Sequence, residues 1–302
     1  MIVLRMMGRL GNQMFQYAYA RALQEIYKEP IVIDNSVYKK YRIGEYSLTN
    51  LNIRDDIKEV SKYNIRKLDY LVIRFWQKFY HVFQKLKRII FNTDVLGEHI
   101  FYYFSKKGLY FNFDRYYYPS LIINKKNKSI YGYFQSEKYF KEISDQIKKE
   151  LKVVTEPSNQ ARKMLDEILG CNAVGVSIRC GHGYINTGLD VCNPEYYYKG
   201  MDIVACKVYN PVFFIFSDRI DIVKETYKFS CPVKYIENMP DYESLRLLYS
   251  CKHFVIANSS FSWFGAYLSD NASKIVIAPS KWYKKSNKRP DIFLESMTLI
   301  DV

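Results

Sequence analysis

The chain of 302 residues is long enough for two globular domains, and it carries 45 Lys and Arg against 31 Asp and Glu, a net charge of +14. Hydrophobic residues make up 48% and aromatic residues 17%, which excludes an intrinsically disordered chain. The excess charge favours acidic partners, namely nucleotide phosphates, nucleic acid or an anionic membrane face. Residues 1–150 hold 27 of the basic and 15 of the acidic residues, so we expect the two halves to differ in function.

The N-terminal segment predicts a βαβ unit. Residues 1–5 form a short apolar run typical of a buried strand, and residues 31–34 form a second one. Between them, Gly8 and Gly11 indicate a turn, and apolar residues recur at helical spacing over residues 12–27. We therefore expect a parallel strand pair with a helix packed on it at the start of the chain.

Residues 62–90 predict a long amphipathic helix that is rich in aromatic and basic side chains. The segment contains five Lys and three Arg against one Asp. Its apolar residues recur at helical spacing, at positions 68, 71, 72, 75, 79, 82 and 83. Two interpretations remain open: a solvated basic face above an ordinary core stripe, or a surface that binds anionic lipid or a lipid-linked acceptor.

From residue 173 onwards, short β-branched and aromatic runs alternate with helical segments, which predicts a parallel, doubly wound sheet. The predicted strands are 174–179, 212–217, 233–236, 253–257 and 274–278. The predicted helices between them are 195–208, 219–228, 241–251 and 260–268. Ligands of such sheets bind beyond the carboxyl ends of the strands, so the residues that follow each strand are the candidates for a site.

The run Gly8-Arg9-Leu10-Gly11-Asn12-Gln13 places glycines at a strand-to-helix turn, where the amides of the helix start can face an anion or a sugar. It lacks the G-x-G-x-x-G spacing of dinucleotide-binding turns and the G-K-[ST] ending of a P-loop. Neither a dehydrogenase nor a P-loop ATPase is therefore favoured. A turn with an ordinary capped helix remains the alternative.

Polar groups follow three predicted strands of the second half. Arg179, with Gly181 close behind, suits phosphate oxygens or a salt bridge, and Asp218 suits a base, a ribose or a helix cap. The run Asn258-Ser259-Ser260-Phe261-Ser262 opens a helix, an arrangement that suits a diphosphate. The chain has no Asp-x-Asp pair, so we expect no metal-bridged pyrophosphate.

The cysteines and the hydropathy pattern predict the compartment. All six Cys lie in the second half, without a C-x-x-C pair or a His cluster at ligand spacing, so we expect reduced thiols and no structural zinc. The N-terminus lacks the regions of a secretory signal, and the uncharged stretch 254–269 is too short and too polar for a transmembrane helix. We therefore expect a cytoplasmic protein.

With these segments in order, the chain resembles the bacterial α-1,2-fucosyltransferases of glycosyltransferase family 11 across nearly its whole length. The motifs that carry the resemblance are GRLGNQMFQY at 8–17, GYFQSEKYF at 132–140, FSD at 216–218, IANSSFSW at 256–263 and IAPSKWY at 277–283. The first run is also similar to the corresponding loop of the protein O-fucosyltransferases.

The resemblance implies an α/β fold of the GT-B type, with two Rossmann-like domains facing a cleft. It implies an inverting, metal-independent galactoside 2-α-L-fucosyltransferase, which moves L-fucose from GDP-β-L-fucose to the 2-hydroxyl of a terminal galactose. Residues 1–155 would form the acceptor-side domain, with a basic aromatic helical insertion at about 55–125. Residues 156–302 would form the GDP-fucose-binding domain.

The residue patterns and the resemblance together predict roles for single residues. The residues expected to bind the donor are Gly8, Gly11, Arg179, Gly181, Asp218, Asn258, Ser259, Ser260, Phe261 and Ser262. Arg179 is expected to act in catalysis as well, by stabilising the departing diphosphate. Asn12 is the candidate for positioning the acceptor. No metal and no cofactor is expected.

One motif departs from the family. Where the family has His-x-Arg-Arg-Gly-Asp, this chain has Ser177-Ile178-Arg179-Cys180-Gly181-His182. Only Arg179 and Gly181 match, so the roles of the second arginine and of the acid do not transfer. His182 is the candidate general base, because imidazole titrates near neutral pH, and Tyr184 is an alternative substitute for part of the missing function.

Several alternatives remain open at this stage. The acceptor is expected to be a galactose-terminated oligosaccharide such as an O-antigen repeat, lipid-linked in one version, with peripheral contact to an anionic membrane at its inner face. A second enzyme hypothesis keeps the donor but changes the linkage to α-1,6 or protein O-linked. A hypothesis of another class is a basic protein that binds nucleic acid or a membrane surface, although no nucleic-acid-binding motif supports it.

Overall fold

The computed structural model describes residues 1–36, 38, 45–59, 67–93, 95–114, 116–181, 183–185, 187–284 and 288–302. Its chain forms two compact units. The first unit comprises Met1–Thr49 and Ile53–Glu150, and the second comprises Asn50–Asn52 and Leu151–Val302. The chain thus passes into the second unit at Leu151, whereas the sequence predicts a boundary at 155.

The first unit is built on a five-stranded parallel sheet of order β3-β2-β1-β5-β4. Its strands are β1 Ile2–Arg5, β2 Ile31–Asp34, β3 Lys58–Glu59, β4 Leu109–Asn112 and β5 Lys128–Gly132. Its helices are α1 Leu10–Tyr27, α2 Lys67–Phe91, α3 Glu98–Ser105 and α4 Ser144–Glu150. The βαβ unit predicted at the N-terminus is present as β1, α1 and β2. The predicted insertion at about 55–125 contains β4, an edge strand of this sheet.

Helices cover both faces of the first sheet. On one face, Tyr19 of α1 packs edge-on against Tyr110 of β4. On the other face, Tyr80 of α2 packs edge-on against Phe111, the next residue of the same strand, whose side chain points the opposite way. The sheet is therefore the middle layer of an α/β/α arrangement.

Polar contacts along α2 hold this helix to the ends of two central strands. Tyr70 donates a hydrogen bond to Asp34 at the end of β2 (3.0 Å), and Arg5 at the end of β1 donates one to Gln77 (2.5 Å). Arg5 also lies over the ring of Tyr131, 5.0 Å from its centroid. The long basic helix predicted from the sequence is therefore a fixed part of the unit. Across the described ranges, no helix has the length and hydropathy needed to cross a membrane.

The second unit contains a six-stranded parallel sheet of order β11-β10-β9-β6-β7-β8. Its strands are β6 Asn172–Ile178, β7 Pro211–Ser217, β8 Val233–Tyr235, β9 His253–Ile256, β10 Val276–Pro279 and β11 Met297–Ile300. Its helices are α5 Asn159–Leu169, α6 Pro194–Ala205, α7 Ile220–Thr226, α8 Asp241–Ser250 and α9 Ser260–Leu268. The five strands and four helices predicted between residues 174 and 278 are all present, with ends shifted by a few residues.

Gly8 and Gly11, both predicted to lie in the turn after β1, have different positions in the structure. Gly8 has a φ of +77° at the turn after β1, as expected. Gly11, predicted to lie in the same turn, is buried inside α1, because that helix begins at Leu10. Gly11 therefore lies in the first turn of the helix and not in the turn that precedes it.

We expect Gly132→Ala to destabilise the first unit by about 3 kcal/mol. Gly132 ends β5 with a φ of +151°, and a Cβ there would overlap the backbone carbonyl of its partner Asn112. Chemical denaturation would measure the loss. Gly188→Ala is the matched control, because nothing lies within 4 Å of a Cβ at that position. Equal stability of the two variants would contradict this account.

Candidate active site

The carboxylate of Asp218 organises the loop that follows β6. Its Oδ1 atom accepts hydrogen bonds from the backbone amides of Cys180 (3.1 Å) and Gly181 (3.2 Å). Its Oδ2 atom lies 3.4 Å from Nη1 of Arg179. Asp218, which follows β7, thereby contacts Arg179, Cys180 and Gly181, which follow β6. These residues meet because β6 and β7 are neighbours in a parallel sheet.

Arg179 retains the capacity to bind an anion. Its side chain is 24% exposed, and a guanidinium has five donors, of which the Asp218 pair uses few. A guanidinium fork at the carboxyl end of a parallel strand matches phosphate oxygens in charge and in geometry. Arg179 is therefore placed where a diphosphate ligand of this sheet is expected.

Gly181 allows Asp218 to approach the loop. A Cβ at position 181 would overlap Oδ2 of Asp218, so any larger residue would displace the carboxylate. Gly183 differs, because nothing lies within 4 Å of a Cβ there. The requirement for glycine at 181 thus comes from a close side-chain contact.

Cys180 cannot replace the family's second arginine as a cation. Its thiol is buried and lies 3.4 Å from both the hydroxyl of Ser217 and the carbonyl of Arg219. Burial raises the pKa of this thiol, so it is neutral at neutral pH. His182, the candidate general base, lies outside the described residues.

Ser262 is directed into the protein. Its hydroxyl hydrogen-bonds that of Ser177 at 2.6 Å, and both side chains are buried. Ser177 stands where the family motif has histidine, so the two serines complete each other's hydrogen bonding. The prediction that Ser262 contacts the donor therefore has no support from its position.

The remaining residues of the serine-rich run lie at the start of α9. Ser259 is the N-cap residue, but its side chain makes no capping hydrogen bond. Ser259, Ser260 and Phe261 are each partly exposed. The amides of a helix start together with nearby hydroxyls form an arrangement that accepts anions.

Asn258 ties three loops together. Its Nδ2 atom donates to the carbonyls of Leu189 (2.7 Å) and Trp282 (2.8 Å), and its Oδ1 atom accepts from the hydroxyl of Tyr184 (2.6 Å). The side chain is buried. Because these bonds occupy both polar atoms, Asn258 positions the loops around the strand ends, and Tyr184 serves the same network.

In the first unit, two of the motifs that carry the family resemblance, 8–17 and 132–140, contact each other. Asn12, near the start of α1, accepts a hydrogen bond from Nε2 of Gln135, which follows β5, at 2.8 Å. A Cβ at Gly8 would lie 2.6 Å from Nδ2 of Asn12, which explains the glycine. Gln13 donates to the carbonyl of Gly8 at 3.1 Å and fixes the turn. No role is predicted for Gln135 from the sequence, although this residue lies in the run GYFQSEKYF that carries the family resemblance.

No group of three or more His, Cys, Asp and Glu side chains within the described ranges is arranged to hold a metal ion.

Comparison with known proteins decides the family. The model of Glycosyl transferase family 11 matches residues 1–300. The chain belongs to this family. It is therefore a glycosyltransferase, and this decides between the enzyme and the nucleic-acid-binding hypothesis in favour of the enzyme.

Two bacterial relatives of this family member align over almost the whole chain. One, named alpha-1,2-colitosyltransferase, from Escherichia coli, is 31% identical over 94% of this chain and 93% of its own length. The other, the O-antigen biosynthesis glycosyltransferase WbnK of Escherichia coli, is 27% identical over 93% of this chain and 94% of its own length. These names do not single out fucose as the transferred sugar.

A solved structure supports the fold. The fucosyltransferase NodZ from Bradyrhizobium superposes with a TM-score of 0.52 at 10% identity, covering 88% of this chain and 92% of that chain. At this identity the likeness concerns the fold alone. Together with the two parallel sheets, it confirms the predicted α/β fold of the GT-B type with Rossmann-like units.

The pair of buried serines is open to a double-mutant test. We expect Ser177→Ala and Ser262→Ala each to destabilise the protein by about 1–3 kcal/mol, because each leaves a buried hydroxyl unpaired. The double variant should cost clearly less than the sum of the two. Denaturant unfolding of the four proteins measures the coupling. Strict additivity would show that the hydroxyls do not depend on each other.

Proposed function

We propose that this family 11 enzyme transfers L-fucose from GDP-β-L-fucose to the 2-hydroxyl of a terminal galactose in an O-antigen-type glycan. The observation that carries the proposal is Arg179, a partly exposed cation that Asp218 holds at the end of β6. The α-1,2 linkage is supported by the relative whose name contains it, and the glycan class by the relative named for O-antigen biosynthesis. A lipid-linked form of such a glycan is included among the proposed acceptors.

A second donor is favoured by a specific observation. The relative that is 31% identical is named a colitosyltransferase, and colitose is L-fucose without its 3-hydroxyl group. A site that hydrogen-bonds this hydroxyl discriminates against the sugar that lacks it by about 10⁴, whereas an apolar pocket discriminates far less. The ratio of kcat/KM for the two GDP-sugars therefore separates the two donors.

In the proposed reaction, the acceptor hydroxyl attacks the anomeric carbon on the side opposite GDP. The C–O bond to the diphosphate breaks through a transition state with oxocarbenium character, and the configuration inverts once. GDP leaves with additional negative charge, and the proton of the attacking hydroxyl passes to solvent. Arg179 and the start of α9, with Ser259 and Ser260, would stabilise that charge more in the transition state than in the ground state. We assign acceptor positioning to Asn12, supported by its hydrogen bond from Gln135.

The test begins with binding and transfer in the presence of EDTA. GDP, GDP-fucose and GDP-colitose should raise the melting temperature, while UDP-galactose and NAD should not. One of the two GDP-sugars should then react with a β-galactoside without added metal. Linkage analysis of the product distinguishes the α-1,2 bond from the α-1,6 and protein O-linked alternatives. No stabilisation by any guanosine nucleotide would contradict the proposed donor class.

We expect Arg179→Ala to lower kcat/KM by a factor of about 30 to 5,000, the range for removing one partner of a hydrogen-bonded charge pair. Steady-state kinetics with the preferred donor measures the loss. Unchanged kcat/KM would remove Arg179 from the mechanism.

A glycine pair gives a sharper test of Asp218. Gly181→Ala should preserve the fold, because only a side-chain carboxylate must move, but it should weaken GDP binding by disturbing the Asp218 and Arg179 arrangement. Gly183→Ala, two residues away with open space around it, should bind GDP like the wild type. Calorimetric titration with GDP measures both. Equal affinities would show that the position of Asp218 does not govern donor binding.

A further inference from the structure

Helix α2 presents a continuous apolar stripe to solvent. The stripe, here termed the outer stripe, runs the length of the helix at spacings of three and four residues, and its side chains are 37–69% exposed. Its members are Leu71, Val72, Phe75, Phe79, Val82, Phe83, Leu86, Ile89 and Ile90. Soluble monomers rarely leave so many large apolar groups together in water, so a stripe of this size indicates a binding surface.

The opposite side of the same helix forms the contact with the sheet. Ile73, Gln77 and Tyr80 are buried, and they lie on the face of α2 that packs over β1 and β4. The interpretation of the apolar positions as an ordinary core stripe is therefore wrong for most of them. Because the inner side is fixed, the helix cannot roll to bury the outer stripe within its own unit.

Basic residues line one edge of the outer stripe. At 100° per residue, Arg74, Lys78, Lys85 and Arg88 fall beside one another along the helix, and Lys78, Lys85 and Arg88 are exposed. Residues 70–93 contain no acidic residue. A helix with an apolar face and a row of cations beside it matches a surface that is apolar below and anionic above.

We propose that the outer stripe of α2 docks on an anionic lipid bilayer, with the helix lying in the plane of the interface. The apolar side chains would enter the boundary between headgroups and acyl chains, to a depth of about 5–10 Å. The lysines and arginines would extend their charged ends to the lipid phosphates. A second copy of the chain is a poorer occupant, because a symmetric contact between two such helices brings their basic edges together, and residues 70–91 of α2 contain no acidic residue to pair them.

The proposed docking surface is independent of the proposed donor site. None of the residues of the outer stripe or its basic edge is assigned to donor or acceptor binding. A variant can therefore lose membrane binding and keep sugar transfer, or lose sugar transfer and keep membrane binding. Each proposal is tested by its own measurement.

The test is co-sedimentation of the full chain with vesicles of phosphatidylcholine, with and without 30% phosphatidylglycerol. We expect binding to the anionic vesicles, and binding that weakens as salt is added. The charge variant Lys78→Gln/Lys85→Gln/Arg88→Gln should bind about 100-fold more weakly, at about fivefold for each cation near the surface. Protein that stays in the supernatant with anionic vesicles would overturn the proposal.

Two matched variants separate docking from general charge attraction. In Lys163→Gln/Lys207→Gln/Lys228→Gln, three exposed lysines of the second unit are neutralised, and we expect wild-type vesicle binding. If this control lost as much affinity as the charge variant, the specific role of α2 would be refuted. In Phe75→Ser/Phe79→Ser/Val82→Ser, the outer stripe loses three exposed apolar groups, and we expect at least tenfold weaker binding with an unchanged melting temperature.

The alternative, that a second copy of the chain covers the outer stripe, is tested by the oligomeric state. Sedimentation equilibrium of the wild type without lipid should show a monomer. A dimer that the Phe75→Ser/Phe79→Ser/Val82→Ser variant dissociates would assign the outer stripe to a second copy of the chain and overturn membrane docking. Transfer to a soluble galactoside should be the same in all these variants, since none alters residues assigned to the reaction.

Discussion

The candidate donor site is arranged around the contacts of the Asp218 carboxylate. It accepts hydrogen bonds from two backbone amides of the loop after β6 and lies against the guanidinium of Arg179. One side chain therefore fixes the position of both the loop and the cation. The contact is possible because residue 181 is glycine. A cation held in advance at the strand end loses little conformational entropy when an anionic ligand binds. The geometry around Arg179 thus depends on a residue from the next strand of the sheet.

Two of the departures from the family motif are accommodated inside the protein. Ser177 hydrogen-bonds Ser262, and the thiol of Cys180 points toward Ser217. Both replacements are neutral and buried, so they satisfy the packing of the strand end without supplying charge. Arg179 is left as the motif's cation, and we expect the start of α9 to contribute the further electrostatic stabilisation of the departing diphosphate. The family membership establishes sugar transfer, and the two donor sugars proposed above differ in a single hydroxyl group.

The first unit combines two requirements on one helix. The inner side of α2 completes the core above the sheet, and its outer side carries apolar groups that the unit itself does not cover. A helix with two apolar sides needs two partners. The sheet provides the first, and the proposed bilayer provides the second, with the basic edge setting the preference for anionic lipid.

The sequence by itself determined the alternation of strands and helices from residue 174 to 278, because short apolar runs and helical periodicity are local signals. It also located Arg179, Gly181 and Asp218 at strand ends. The strands β3, β4, β5 and β11 escaped prediction, since a short strand is defined by the partner that supplies its hydrogen bonds.

Only the tertiary structure decided which groups at the strand ends face one another. Asn258 and Ser262 belong to the same run as Ser259, yet the side chains of both make hydrogen bonds inside the protein. Their partners, Leu189 and Trp282 for Asn258 and Ser177 for Ser262, come from distant parts of the chain. The exposure of the outer stripe has the same origin. Periodicity shows that a helix has an apolar side, but only packing against the sheet decides which side is buried.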